Sequence, residues 1–252
     1  MQTERLIRIK SEEEIECLRR SGKLLASIVR ELKGFLKLGL TTKEIDGKVE
    51  ELIAEHDAYP AFKGYRGFPA CACISLNNEV VHGIPSERRL KEGDIASIDI
   101  GIVFEKFYAD MAFTVGMGKI SPDLKRLIEV TEKSLYKGIE QAVIGNHLSD
   151  ISFAVQSFVE SNNFSVVRDF VGHGIGRRLH EDPEVPNFGL PHSGPVLREG
   201  MVLAIEPMVN VGKWQTRILD DGWTVVTQDG KPSAHFEHTV AITKEGPEIL
   251  TQ

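Results

Sequence analysis

The chain has 252 residues, a length that suits one compact domain or two small ones sharing a core. Apolar residues make up 41% of it, which excludes a disordered protein, and a formal net charge of −7 argues against nucleic acid as a partner, because phosphate binding needs a basic face. Its three cysteines, Cys17, Cys71 and Cys73, form no CxxC pair, which argues against a disulfide framework and a structural zinc site.

Met1 to Arg20 is charged throughout and lacks a signal-peptide apolar region. No stretch reaches the roughly 18 apolar residues of a membrane span. A cytoplasmic protein with no membrane attachment is expected. Ser11-Glu12-Glu13-Glu14 reads as a capping box, and Ile15, Leu18, Leu25, Ile28 and Leu32 follow at helical spacing, predicting a helix over about 12–33. Thr41-Thr42-Lys43-Glu44 opens a second helix, with Ile45, Val49, Leu52 and Ile53 on one face. The Gly- and aromatic-rich stretch Pro60 to Pro69 reads as a loop. Strands are predicted near 71–76, 95–104 and 107–115. Ser121-Pro122-Asp123 is an N-cap with proline at the first helical position, predicting a helix to about Val143 that stops at Gly145. A fourth helix carries Ile151, Val155, Phe158 and Val159 and ends near Asn162. Strands return around Val166, 201–205, 223–226 and 236–242. The order helices, strands, helices, strands suggests two similar halves packed into one α+β domain over residues 1–252.

The most informative residues are carboxylates in apolar, strand-like surroundings: Asp99, Asp110, Glu206 and Glu237. Burying an ionised carboxylate costs several kcal/mol unless something compensates. If the 95–104 and 107–115 strands form a hairpin turning near Phe104-Glu105, Asp99 faces Asp110 directly, and like charges so placed repel. Either one carboxylate is protonated or a cation sits between them. Gly172-His173-Gly174-Ile175-Gly176 adds an imidazole among glycines, which permit unusual backbone angles and close approach. Four carboxylates with one imidazole and no thiolate suit divalent Mn, Fe or Co. Two such ions balance the four negative charges, so a two-metal site is expected, of the kind that hydrolyses carbonyl compounds. HExxH, GxSxG and P-loop motifs are all missing. His82 and His180 are candidates for handling protons and substrate.

The stretches Asn78-Glu79-Val80-Val81-His82-Gly83-Ile84-Pro85, Gly172-His173-Gly174-Ile175-Gly176, Ile205-Glu206-Pro207-Met208-Val209 and Phe236-Glu237-His238-Thr239 closely resemble the methionine aminopeptidase family, in that family's order. The resemblance implies a pita-bread α+β fold of two pseudo-symmetric halves around a central dinuclear site. It implies that Asp99, Asp110, His173, Glu206 and Glu237 bind two divalent ions (Co, Mn, Fe or similar), with Asp110 and Glu237 bridging. A metal-bridging water or hydroxide would be the nucleophile and Glu206 a proton acceptor. His82 would contact the scissile amide nitrogen and His180 the scissile carbonyl. By matched position, Phe62, Tyr65, Phe68, Cys73, Leu179 and Trp223 would form the methionine pocket, where aromatic edges and a cysteine suit a thioether. The implied substrates are polypeptide N-termini with methionine followed by a small residue, with the ribosome as a candidate partner and the chain acting as a monomer. The short spacing from Glu206 to Glu237 leaves no room for the type II insertion, so the chain is similar to the short bacterial type I form.

Two positions depart from the family's common pattern. Leu179 stands where an aromatic is frequent, and His235 stands where glutamine is common, which would make the metal's surroundings titratable near neutral pH. Taken singly, Asp99 and His173 read as structural residues; the five-member set reverses that. His238, on the face opposite Glu237, and His192 read as structural, and His56 and His147 as solvent-facing. Tyr65, Phe68 and Trp223 could equally be plain core. Competing functions are a proline-specific dipeptidase of the same fold and a non-catalytic binding protein; the latter would be expected to lack metal ligands.

Overall fold

The structure is a computed structural model that describes residues 7–252. Helix α1 spans Glu12–Phe35 and helix α2 Thr42–Glu55, and each starts at the capping box read from the sequence, Ser11 with Glu14 and Thr41 with Glu44. Each box satisfies amide donors that the first helical turn leaves unpaired. Leu25, Ile28 and Leu32 of α1 pack on Ile98, Ile100 and Ile102 of the Ile95–Phe104 strand. Each such side chain contributes about 1.5–3 kcal/mol by leaving water. Helix α3, Pro122–Ile139, and helix α4, Leu148–Ser161, pack on each other and on the short strands Met208–Asn210 and Ser233–His235 through Leu127, Val130, Val155, Val159, Val209 and Ala234.

A nine-stranded antiparallel sheet receives both pairs of helices. Its central run is Ile95–Phe104, Phe107–Gly116, Glu237–Thr243, Val202–Ile205, Gly172–Gly174 and Glu181–Val185. Ala72–Leu76 pairs with the outer side of Ile95–Phe104. The two halves join where Ala112 pairs with Glu237 and Met111 with His238.

Three expectations need correction. The hairpin turns at Glu105-Lys106, both in the left-handed region (φ 48 and 72), so Phe104 pairs with Phe107, Asp99 with Ala112 and Asp110 with Gly101. The expected register, with Asp99 opposite Asp110, would have put the bulky Phe104 in a two-residue loop that demands positive φ. Because one residue slips on each strand, the side chains keep their face. Helix α3 stops at Ile139 rather than near Val143. There the Gln141 and Ala142 N–H groups turn back to Gly138 and Ile139 (3.0 and 2.9 Å), and Gly145 is drawn onto Leu197 (3.0 Å). The strand expected from Trp223 begins at Val225, because the Asp221 carboxylate takes the Trp223 and Thr224 N–H groups (both 2.8 Å).

Candidate active site

Strand register decides which side chains share the floor of the site. Cys73 pairs with Asp99, Asp99 with Ala112, and Ala112 with Glu237, so these four lie in one row on one face. Asp110, two residues from Ala112, shares that face. Ile205 pairs with His238, which carries Glu206 to the level of Glu237, and His173 pairs with Ala204, two residues before Glu206. Between the acids this face holds Gly101, Ala112 and Ala204, whose small size leaves room above the sheet. His238 lies on the other face, bonded to Thr251 (2.8 Å).

Glycines flank His173 for packing reasons rather than for unusual backbone angles. A Cβ on Gly172 would lie 2.3 Å from the Ala204 carbonyl oxygen, and one on Gly174 2.3 Å from that of Asp182. The strand can thus lie tightly between its neighbours with the imidazole directed at the acids.

The electrostatics are those of a cation site. Burial first, then the Asp110 and Glu206 charges, push the Asp99 carboxyl well above its usual range. Asp110 is raised to about 7, mainly by burial, against the opposing hydrogen bonds from Asp99 and the Met111 N–H. Glu206 and Glu237 are likewise pushed well up by burial and neighbouring acids. Asp99 Oδ1 and Glu237 Oε1 are buried without a hydrogen-bond partner. Such orphaned acceptors are rare in native interiors and fit a missing cation. Ligand atoms of Asp110, His173 and Glu237 lie within 4.8 Å of one another.

His173 Nδ1 is 2.9 Å from the Gly174 carbonyl, which can only accept, so Nδ1 carries the proton and the Nε2 lone pair faces the acids, 3.6 Å from Glu206 Oε1. Burial lowers this imidazole to about 4. It is a neutral donor, and its approach to Glu206 is not an ion pair. This is the arrangement of a metal-bound histidine with its other nitrogen anchored. Cys73 stays a thiol, its pKa raised by burial and by the surrounding acids, and offers no thiolate. Oxygen-rich donors with one imidazole therefore fit divalent ions.

Above the acids lies a cavity of about 320 Å³, and every site side chain named from the sequence lines it. His180 Nδ1 is 2.8 Å from the Tyr65 hydroxyl, and its ring meets that of His173 edge-on at 4.3 Å. Burial first, with His173 and the Arg66 guanidinium also disfavouring a protonated ring, lowers His180 to about 3. His82 stands in a left-handed conformation (φ 59) and packs edge-on against Phe170 at 5.5 Å and Trp223 at 6.4 Å. Burial lowers it to about 4. Phe68 and Trp223 meet edge to face at 5.2 Å, and Phe62, Phe68, Cys73 and Leu179 belong to one apolar cluster. A Cβ on Gly101 would lie 2.6 Å from the Phe62 ring, so glycine lets that ring lie on the sheet.

Sequence reading missed several contributors. Phe170 supports His82, and Arg66 and Asp169 also line the cavity. Glu181 accepts the Lys10 ammonium (3.0 Å) and the Arg177 and Arg178 N–H groups (2.9 and 3.2 Å), pinning the turn that carries Leu179 and His180. Only the adjacency of Glu181 to His180 hinted at this. His235 corrects an expectation. Its side chain is buried, with Nε2 3.7 Å from Glu206 Oε2, and burial first, with His82 also disfavouring its protonation, lowers it to about 3. It is neutral near pH 7 and is not a titrating group there.

The sequence profile of metallopeptidase family M24 matches residues 16–244. A methionine aminopeptidase of Clostridium perfringens is 57% identical over 246 residues, covering 98% of this chain and 99% of that protein. The crystal structure of methionine aminopeptidase from Rickettsia prowazekii superposes with a TM-score of 0.97 at 41% identity, covering 98% of this chain and 100% of that one. A prolidase from Pyrococcus furiosus shares the fold (TM-score 0.78, 24% identity), and the match spans 97% of this chain but 65% of that one. The pita-bread fold is therefore common to all three. At this level of identity over nearly the whole length, the chain belongs to metallopeptidase family M24 and, within it, to the methionine aminopeptidases.

Proposed function

We propose that this metal-dependent aminopeptidase releases the N-terminal methionine of polypeptides in the cavity above Asp99 and Asp110, the whole chain serving as one catalytic domain. The single observation that carries the reading is the convergence of five donor side chains from four strands and one strand end onto one sheet face, beneath an apolar cavity. Asp99, Asp110, His173, Glu206 and Glu237 would hold two divalent ions of the Co, Mn or Fe kind, with ligand atoms of Asp110, His173 and Glu237 already gathered within 4.8 Å of one another. Four carboxylates favour two ions over one, since two neutralise the set. When bound, such ions compensate the crowded charge and supply Lewis acidity for hydrolysis at a carbonyl.

The chain's own residues do the positioning. Glu206, on the floor and bordered by His173 and His235, accepts the proton released as water attacks. With Tyr65 donating to Nδ1 of His180, the Nε2–H is left free to hold the scissile carbonyl. His82, neutral and braced by Phe170 and Trp223, would contact the scissile amide nitrogen. The methionine side chain fits among Phe62, Tyr65, Phe68, Cys73, Leu179 and Trp223, where sulfur gains about 0.3–1.5 kcal/mol from aromatic contact. Leu179 in place of an aromatic is already packed at 2% exposure, so the pocket wall is closed there.

Among the described residues, no helix is long and apolar enough to cross a membrane, and all three cysteines are free thiols, which fits substrates met in the reducing cytoplasm. The test is methionine release from a Met-Ala-Ser peptide compared with cleavage of an Xaa-Pro peptide, before and after chelation. Expected are turnover of the first alone, loss with chelator and recovery with Mn²⁺ or Co²⁺. Preferential Xaa-Pro cleavage, or full activity without divalent ions, would overturn the assignment.

A further inference from the structure

A second group of metal-type side chains lies outside the cavity. His147 caps α4, Asp150 stands in its first turn, and His192 comes from the long connection between the Glu181–Val185 and Val202–Ile205 strands. One ligand-type atom from each lies within 4.8 Å of the other two. None of the three lines the catalytic cavity.

The carboxylate is already fixed in place. Asp150 Oδ2 accepts the His147 N–H and Oδ1 the His192 N–H, both at 2.8 Å. Each oxygen keeps a further lone pair. The two imidazoles lie with ring centroids 6.4 Å apart at 79°, and His192 Nδ1 is 3.3 Å from Asp150 Oδ1. Capping accounts for the two backbone bonds and for the His147 ring at the N-cap, but it has no use for a second imidazole, that of His192, set against the same carboxylate. The His192 side chain is 81% exposed and that of Asp150 10%, so one side of the group is open to water molecules that would complete a coordination shell.

We propose that His147, Asp150 and His192 form a peripheral site for one borderline divalent cation of the Zn²⁺, Ni²⁺ or Co²⁺ class, with three protein ligands and water. Two imidazoles and one carboxylate are the donor set such ions favour, in contrast to the oxygen-rich catalytic floor. The cation clamps the 186–201 connection onto α4. That connection holds Asn187, whose side-chain N–H donates to the Glu206 carbonyl at 3.0 Å, so the clamp braces the wall behind the catalytic acid without touching the substrate.

The test uses the full chain loaded with Mn²⁺ at its catalytic centre and then titrated with Zn²⁺. Zinc-edge anomalous diffraction should show a peak between the three side chains. Calorimetry should find one zinc equivalent more for the parent protein than for His192→Ala, which alters an exposed ring and leaves the capping bonds intact. A zinc-dependent rise in Tm should be lost in both His192→Ala and His147→Gln, while Mn²⁺-dependent methionine release in zinc-free buffer is unchanged in both. No anomalous peak at the group, or equal zinc stoichiometry in parent and His192→Ala, would overturn the site.

Discussion

The Asp99 and Asp110 carboxyls face one another across a diagonal of their hairpin, each opposite a small residue, Ala112 opposite Asp99 and Gly101 opposite Asp110, and the Asp110 charge helps push the Asp99 carboxyl up. A pair held so closely in a buried place needs either a proton or a cation between its oxygens, and Glu206 and Glu237 add to the same demand.

Replacing Asp110 with Asn, or Glu237 with Gln, should lower metal-dependent kcat/KM by at least about 100-fold, since even groups that only orient metal ligands are worth about 10–100-fold. Calorimetric titration with Mn²⁺ should show weaker binding in both variants. Near-normal turnover and affinity would remove these two residues from the metal set.

Metal removal should make stability depend on pH in a defined direction. Asp110 titrates at about 7 when folded, against 3.8 ordinarily, and the other three acids lie well above their usual values. The folded chain therefore binds more protons than the unfolded one, and stability falls as pH rises through the folded values. Buried His173 and His82, lowered from 6.5 to about 4, act oppositely, but their contribution is complete above about pH 6.5. Between about pH 6.5 and 8 the metal-free protein should lose at least about 2 °C in Tm, the equivalent of roughly 1 kcal/mol or less at this length. Scanning calorimetry with and without Mn²⁺ checks this; the metal-loaded protein should show no such fall.

His235→Gln should leave the acid limb of the kcat/KM profile where it is. The imidazole is 1% exposed and burial lowers it to about 3, so it is neutral across the range measured below. Metal affinity should change by less than about tenfold, because His235 Nε2, 3.7 Å from Glu206 Oε2, makes no hydrogen bond that the substitution would remove. Rates measured across pH 5.5–8 decide the matter: a shift of about one pH unit would return His235 to the titrating groups.

Tyr65→Phe should lower kcat about two- to tenfold with little change in KM, which corresponds to one hydrogen bond of about 0.5–1.5 kcal/mol. The hydroxyl sits 2.8 Å from His180 Nδ1 and orients the ring. Steady-state kinetics on a Met-Ala-Ser peptide measures it, and an unchanged kcat would show that the ring is held by packing alone.

Read from the sequence alone, the helices were legible because their signals are local: Ser11 with Glu14 and Thr41 with Glu44 lie within one turn of each other. The long hairpin strands and the misplaced acids were legible for a similar reason, since alternation and an acid among β-branched neighbours are visible within a few residues. Only the tertiary structure decided the register that makes Asp99 and Asp110 diagonal, the strand Gly172–Gly174 hidden in a glycine-rich stretch, the grip of Tyr65 on His180 and the neutrality of His235. Each of these depends on which distant backbone lies alongside and how much water it removes, and neither hydrogen-bond pairing nor desolvation is written in a residue's own neighbourhood.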